Sequence, residues 1–474
     1  MRVNRLLAYA GLKEAGVNHP VHLIADDSRI CCCNCIYVCC SKDESDQKKY
    51  VEEAILNGAR TIVSAAFFLP RSGINFYQVE QPTRILAKLL RRYYGPIVKK
   101  IHLIGVIGTN GKTTTSTLGY EFFRFIGKKA MLIGSNGIYF GKEYRKTENT
   151  TPSLATIYRF LVTAAKNGIR FVFMEVSSIA VEQLRVFLLP FDCLIFTNFS
   201  EDHLDYHKTM EQYLFCKLMP FLSLCEKAYA VVNADDPISR IILKYTPSFC
   251  YTIGLNGKTD YTVSNLKSDW EGLTFTYRHE EYHSCLMGRF NIYNLLSILP
   301  LCEIYGVDEK RYFDFLNQYQ KVSGRMNKIK WQEKCILLDY AHTEQAVQQV
   351  VKEAQSQCRG RLYLVLGCGG NREKEKRYHI GRYLNSVDAD IILTTDNPRY
   401  EDPLDIVKDI QKEMVKDTEV ILDRKTAIET VLSRLKPNDW VLILGKGAEK
   451  TMEIRGIKYP FNDEEVIYEW ICKH

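Results

Sequence analysis

At 474 residues the chain exceeds one compact core, and its 46% apolar content is enough to fill two or three folded domains. A formal charge of +7 is scattered over 63 basic and 56 acidic residues with no long basic tract. This argues against nucleic acid and leaves a multiply charged anionic substrate open. No apolar run reaches membrane-span length, and charges stand where a signal peptide needs its apolar centre, so a cytoplasmic protein without a membrane partner is expected.

Residues 1–99 alternate short apolar stretches (VHLIA, TIVSAAFFL, NFYQVE) with a helical segment over residues 50–57 that Gly58 closes. They read as a small α/β domain. Six of the sixteen cysteines fall in CCCNCIYVCC, residues 31–40. No His or second cysteine pair stands at zinc-finger spacing, so the run reads as a buried strand in which Cys serves as a small apolar residue; a soft-metal or redox role is the second reading.

A second domain is expected over residues 100–321. The apolar strand 101–107 enters a turn of Gly108, Thr109, Asn110 and Gly111, then a helix opened by Lys112, Thr113 and Thr114. A phosphate there would meet free N–H groups and the positive end of the helix dipole. Val106 breaks the general phosphate-loop pattern, leaving the compact form GTNGKTT. The stretches AMLIGS, IYRFLVTAAKNG, FVFMEVSS, CLIFTNF and AYAVVNAD then alternate strand and helix, which implies a parallel sheet covered on both faces.

Ligands of such sheets gather beyond the strands' carboxyl ends, where the polar motifs fall. Glu175 ends FVFME and could hold Mg²⁺ beside phosphates. FTNFSEDHLDYH supplies Asp202, His203, Asp205 and His207. The i, i+4 His pair would suit zinc, but the sequence offers no convincing third ligand, and a phosphate and Mg²⁺ site is favoured. In a helical MEQYLFCKLMPFL, Lys217 shares a face with Met210, Tyr213, Leu214 and Phe221 and would point inward. A desolvated lysine is neutral and nucleophilic enough to capture CO₂ as a metal-binding carbamate; alternatively Lys217 snorkels to the surface, helped by Pro220.

GRFNIYNLLSILPLCEIYG reads as one helix. From residue 322 to 474 the pattern restarts with CILLDYAH, RLYLVLGCGGN, ADIILTTDN, TEVILDR and WVLILGKG, five buried strands that imply a second doubly wound domain. The expected class is therefore α/β in three domains: a small N-terminal one, a central P-loop parallel-sheet ATPase-like one and a Rossmann-like C-terminal one.

The motifs GTNGKTTT, ENTTPS, FMEVSS, FTNFSEDHLDYH, FCKLMPF, VVNADDP, GRFNIYNLL, VSGRMNKI, LDYAHT, LGCGGNREKEKR, TTDNPRYEDP and LGKGAE occur in one register over nearly the whole chain. In that order they resemble the Mur ligase family, most closely its members that add the third peptide residue to UDP-N-acetylmuramoyl-dipeptide. The resemblance implies an ATP-dependent amide ligase of peptidoglycan synthesis that works through an acyl phosphate and acts as a monomer. It implies Lys112, Glu175, His203 and Lys217 as catalytic, with Thr113, Glu175, His203 and carbamylated Lys217 as Mg²⁺ ligands. ATP would meet the phosphate loop from Gly108 to Thr114 together with Asn291, Arg325 and Asp339. Ser28, Thr150, Thr151, Ser177, Gln183 and Arg185 would hold the UDP-muramoyl dipeptide.

Arg372, Asp396, Asn397, Pro398, Arg399, Gly445 and Glu449 would hold the incoming amino acid. DNPR at Asp396 to Arg399 resembles the version found in meso-diaminopimelate-adding relatives. A planar guanidinium binds a distal carboxylate through two parallel hydrogen bonds and repels the ammonium of lysine. The chain departs from the family pattern at Ile179 and Ala448, where His is usual, and after Ser28 and Arg29, where the cysteine run and SKDESDQKK replace a glycine-bearing loop. Two alternatives follow: a paralogue that uses another carboxylate carrier or adds L-lysine, and a nucleotide-binding module without catalysis.

Overall fold

The computed structural model describes residues 1–147 and 149–474; Glu148, the first residue of ENTTPS, lies outside the described residues. Three α/β domains follow one another along the chain. The first holds a four-stranded, all-parallel sheet of β1 (Leu23–Ala25), β2 (Cys35–Val38), β3 (Ala59–Ser64) and β4 (Asn75–Gln78), in that order.

Two expectations for this domain are corrected. The cysteine run is a strand only over β2, whose residues are buried, while Cys32 and Cys33 are exposed in the preceding turn; all sixteen cysteines are free thiols. The segment SKDESDQKK is no loop. Asp43 accepts a hydrogen bond from the Asp46 N–H and starts the helix Glu44–Leu56, well before residue 50.

The central sheet comprises β5 (His102–Ile107), β6 (Ala130–Gly134), β7 (Gly137–Phe140), β8 (Glu143–Arg145), β9 (Phe171–Glu175), β10 (Cys193–Phe196), β11 (Tyr229–Asn233) and β12 (Phe249–Ile253). Its order is β12-β11-β10-β5-β9-β6-β7-β8, parallel except for the hairpin strands β7 and β8 at one edge. Strand β5 shows why the middle must be apolar throughout. Leu103 and Ile107 enter one core, Ile104 and Val106 the core on the opposite face. The first of these cores runs without a break into the N-terminal domain: helix Pro82–Val98 packs on helix Leu154–Lys166, with Tyr94 stacked on Tyr158.

An antiparallel sheet of β13 (Ser264–Ser268), β14 (Leu273–Tyr277) and β15 (Glu280–Ser284) covers the other side. The single helix expected over GRFNIYNLLSILPLCEIYG is two, Asn291–Leu296 and Leu299–Tyr305, parted just before Pro300, which cannot donate to the preceding turn.

In the C-terminal domain β16 (Asn327–Trp331), β17 (Lys334–Asp339), β18 (Leu362–Leu366), β19 (Asp390–Leu393), β20 (Glu419–Val420) and β21 (Trp440–Leu444) take the order β16-β17-β21-β18-β19-β20. The five expected strands are present, and β16 adds an antiparallel edge. A hairpin of β22 (Thr451–Ile454) and β23 (Ile457–Pro460), not foreseen, follows. Among the described residues no helix is long and apolar enough to cross a membrane.

One buried ion pair ties this domain together. Arg424 grips Asp463 through Nε (2.8 Å) and Nη2 (2.7 Å), and both side chains are wholly buried. The same guanidinium donates to the carbonyls of Leu444 and Thr395, so it fixes the ends of the strands that carry Asp396 and Gly445. Removing one partner leaves a bare charge in the core. We predict that Arg424→Ala lowers stability by about 3–5 kcal/mol, read as a marked fall in the melting temperature of the full chain, and that a variant melting like the parent would refute this role.

Candidate active site

The phosphate loop joins β5 to the helix Lys112–Phe125 and is clamped by the residues that follow β10. Thr109 N–H donates to the Asn198 carbonyl (2.9 Å), Asn110 N–H to Asn198 Oδ1 (2.9 Å), and Thr197 Oγ1 to the Asn110 carbonyl (2.6 Å). Gly111 has a left-handed φ of +83°, and a Cβ there would stand 2.4 Å from Asn294 Oδ1. Lys112 curls over the loop and donates to the carbonyls of Gly108 and Thr109, both at 2.8 Å. Burial pushes its pKa down against the attraction of Glu175 and Asp202.

Behind the loop, Thr113 Oγ1 donates to Glu175 Oε2 (2.9 Å). Glu175 ends β9 almost fully buried and accepts two further hydrogen bonds from Ser135, from its N–H (2.8 Å) and its hydroxyl (3.0 Å). So close is β6 that a Cβ on Gly134 would meet Glu175 Oε1 at 2.2 Å. His203, in a left-handed conformation before the short helix Leu204–His207, faces the same space. Burial pulls its pKa down to about 3 although Asp202 lies beside it, which keeps the imidazole neutral and able to bind a metal.

Lys217 is only 2% exposed, so the snorkelling alternative is ruled out, and Pro220 leaves the helix Met210–Leu222 unbroken. Among the described residues no oxygen accepts a hydrogen bond from its ammonium. The face of Tyr213 lies 4.5 Å from its Nζ. Burial, and then the nearby Lys112, lower its pKa far below that of an ordinary lysine.

A wall of hydroxyls and amides continues from Glu175. Thr151 Oγ1 donates to the Glu175 carbonyl (2.8 Å) and accepts from the Ser177 N–H (3.0 Å); Thr150 touches Ser135 (3.1 Å). Arg185 donates to the Thr151 carbonyl (2.9 Å) and to Gln183, and Gln183 reaches Tyr206. Ser28 is not brought into this cavity. It is buried in the N-terminal domain, where its hydroxyl donates to Glu53. That domain meets the wall through Asp26, which accepts from the Ser153 hydroxyl (3.2 Å) at the start of the helix Leu154–Lys166.

The C-terminal domain closes the cavity. Arg325 Nη2 donates to Thr113 Oγ1 (3.1 Å) with its guanidinium 4.5 Å over Tyr340. Asp339, raised in pKa by burial, accepts from the N–H groups of Met326 and Ala341, both at 2.7 Å, and its carbonyl accepts from Gly445 (3.1 Å). Two further ion pairs cross the gap, Lys376 to Asp202 and Arg372 to Asp205 (3.7 Å). Burial alone would raise Asp202, but His203 and Lys376 hold its carboxyl well below the usual range.

At the far end Lys446, fully buried, ties Asn397 (3.2 Å), Glu449 (3.0 Å) and Asp396 (3.7 Å) into one cluster. Arg399 adopts a left-handed φ of 53°; its Nη1 donates to the Gly370 carbonyl and its Nε lies 3.7 Å from Glu453. Gly370 in turn packs on the Pro398 carbonyl.

One cavity of about 490 Å³ is lined by residues of all these groups, among them Lys112, Glu175, His203, Lys217, Asn291, Arg325, Arg372 and Arg399. Thr114, Thr150, Ser177, Arg185, Asp396, Asn397, Gly445 and Glu449 line it too, as do Ile179 and Tyr340. Gly108, Thr151, Gln183 and Pro398 stand one layer behind. Sequence reading missed Ser135, Asn294, Lys376 and Lys446. Lys376 had no signal beyond its place in the charged run EKEKR, whereas Lys446 stands inside LGKGAE.

The family model described as Mur ligase middle domain matches residues 106–301, and the one described as Mur ligase, glutamate ligase domain matches residues 324–447. A UDP-N-acetylmuramoyl-L-alanyl-D-glutamate--2,6-diaminopimelate ligase from Parabacteroides distasonis is 36% identical over 460 residues, 95% of each chain. Its namesake from Aquifex aeolicus is 35% identical over 90% of this chain and 88% of its own. A solved structure of a ligase of that name superposes with a TM-score of 0.70 at 29% identity, over 100% of this chain and 99% of the other. A MurF ligase from Thermotoga maritima, at 19% identity, shares the fold with a TM-score of 0.63 over 95% of this chain and 97% of its own. With identity above a third sustained from end to end, the chain belongs to the Mur ligase family.

Proposed function

We propose that this chain joins meso-diaminopimelate to UDP-N-acetylmuramoyl-L-alanyl-D-glutamate using ATP, a cytoplasmic step of peptidoglycan precursor synthesis. It is an ATP-dependent, amide-bond-forming ligase. The observation that carries the reading is the single cavity shared by the phosphate loop, the Glu175–His203–Lys217 group, the hydroxyl wall and the DNPR loop. A phosphoryl donor, a carboxylate and an amine must meet within a few ångströms, and contiguity supplies that proximity.

The residues present suit ATP and Mg²⁺. Loop N–H groups open on the cavity where Asn294 leaves no room for a side chain on Gly111, and a hydroxyl, a carboxylate and a neutral imidazole supply donors fit for a hard cation. Thr113, Glu175 and His203 would hold Mg²⁺, which supplies neutralisation of phosphate charge. Lys112 would leave the carbonyls of Gly108 and Thr109 for the phosphates, with the backbone N–H groups of Gly111 and Thr114 cradling them while Asn198 holds Thr109 and Asn110 in place. Asn291, Arg325 and Asp339 would hold the rest of the nucleotide. Thr150, Thr151, Ser177, Gln183 and Arg185 would orient the muramoyl dipeptide. Its carboxylate oxygen attacks the γ-phosphorus, ADP leaves, and the amine then displaces phosphate from the acyl carbon. Arg325, held in advance on Thr113, and Lys112, once turned to the phosphates, would stabilise the charge on the transferring group.

Lys217 would carry the CO₂-derived carbamate. A buried lysine without an acceptor, depressed in pKa, is the nucleophile this addition needs. Arg372, Asp396, Asn397, Pro398, Arg399, Gly445 and Glu449 would seat diaminopimelate. The Nη2 edge of Arg399 makes no hydrogen bond among the described residues and suits a second carboxylate. The domains would divide as 1–99 for the UDP-substrate, 100–321 for ATP and 322–474 for the amino acid, acting as a monomer. One observation favours another carrier: Ser28 turns its hydroxyl to Glu53. Retained ATP binding without binding of the UDP-muramoyl dipeptide would support that second reading.

We predict ADP release that requires the UDP-muramoyl dipeptide and is at least tenfold faster with diaminopimelate than with L-lysine; equal rates, or none, reject the assignment. Arg399→Ala should cut diaminopimelate use about a hundredfold, the loss of ~3 kcal/mol from a paired charge-assisted contact, while ATP binding survives. Protein equilibrated with ¹³C-bicarbonate should show a carbamate carbon resonance that Lys217→Ala lacks, together with a turnover loss of about a hundredfold or more. A parent protein without the resonance would contradict the carbamate.

A further inference from the structure

Behind Lys217, a thiol, an imidazole and a carboxylate converge outside the cavity. Glu182 ends the helix Ser178–Glu182, His207 ends the helix Leu204–His207, and Cys216 lies in the helix Met210–Leu222, next to Lys217. One ligand atom of each lies within 4.8 Å of the other two, and no other such group of three comes as close among the described residues. None of the three lines the cavity of about 490 Å³.

The imidazole carries the argument. The His207 side chain is wholly buried, with Nε2 2.9 Å from Ser178 Oγ. Its Nδ1 stands 2.9 Å from Glu182 Oε2. A buried ring nitrogen therefore faces a carboxylate at ion-pair distance, with the Cys216 sulfur close by, and a cation among the three would be held by all of them. The Ser178 hydroxyl can accept from an Nε2–H, and the tautomer protonated there leaves the Nδ1 lone pair for a metal. Tyr213 packs on the ring at 5.2 Å and holds its plane. Cys216, 2% exposed, supplies sulfur from the next helix, while the half-exposed Glu182 gives a route from solvent.

Ligands on one tetrahedral ion sit roughly 3.5 Å apart, so closure from the observed spacing needs about an ångström of side-chain rotation. One sulfur, one nitrogen and one oxygen suit a borderline-soft ion such as Zn²⁺, whereas a thiolate is a poor ligand for the hard Mg²⁺. We infer that Glu182, His207 and Cys216 form a second metal site, of zinc class, which braces the three helices that carry or flank the residues of the cavity. The Cys216 thiol loses its proton to solvent as the sulfur–metal bond forms, and water completes the coordination. The site is independent of the ligase reaction and of the Mg²⁺ position.

Full-length protein stripped by chelator and titrated with Co²⁺ tests this directly. The expected result is one equivalent bound with a thiolate-to-cobalt absorption band, displaced by Zn²⁺ and untouched by excess Mg²⁺. Cys216→Ser should abolish the band, Glu182→Gln should weaken Co²⁺ binding at least tenfold, and Cys225→Ser, an exposed thiol outside the cluster, should keep it. Absence of a band in the parent, or a band surviving in Cys216→Ser, overturns the inference. Because the parent is measured first, a misfolded variant cannot rescue it.

Discussion

The contact on which the rest depends is the chain of hydrogen bonds from Arg325 through Thr113 to Glu175. It starts on the C-terminal domain, crosses to the first turn of the phosphate-loop helix, and ends on the carboxylate at the tip of β9. Without it the cavity has no roof, because the amino-acid end and the phosphate end lie on different domains. The ion pairs of Lys376 with Asp202 and Arg372 with Asp205 span the same gap a few residues away. Each of these contacts places a cation of one domain against anionic or polar groups of the other. Such a junction closes readily around an anionic ligand and reopens at modest cost, as an enzyme that must admit three substrates requires.

Charge placement inside the cavity follows from burial. Lys112 and Lys217 both lose pKa to desolvation, and the nearby Lys112 makes the charge of Lys217 less favourable still. Lys112 is partly compensated by two carbonyls and by Glu175, whereas Lys217 faces the Tyr213 ring, is attracted by Asp202, and among the described residues donates to no oxygen. That asymmetry fits the proposed division of roles, with Lys112 as the phosphate partner and Lys217 as the carbamate carrier. The neighbouring imidazole of His203, held neutral, adds a donor that does not repel a cation.

Much of this was legible in the sequence because the signals are local. The phosphate loop, Glu175 at a strand end and the buried strands of both large sheets rest on short-range pattern, and the sheets carry them where expected. The inward aim of Lys217 could be argued from helical spacing, but only packing decides between burial and snorkelling. What escaped reading depends on partners far along the chain. Arg325 meets Thr113 across 212 residues. Lys376 looks like one more solvated charge until Asp202 is set opposite it. Ser28 gave the opposite error, since a motif match says nothing about where a hydroxyl turns, and Glu53 takes it. The helix Glu44–Leu56 was shortened in reading because its polar first turns resemble a loop, although Asp43 caps it.

The departures at Ile179 and Ala448 find a partial account. Ile179 lines the cavity as an apolar patch beside the hydroxyl wall, and Ala448 lies against Gly324, so close that a Cβ on that glycine would meet its N at 2.2 Å. The most direct test of domain closure as the source of catalysis is single-turnover ADP formation by Arg325→Ala, driven by the UDP-muramoyl dipeptide. The account predicts a fall of about a hundredfold to a thousandfold with ATP binding changed far less. ADP formation at the parent rate would contradict it.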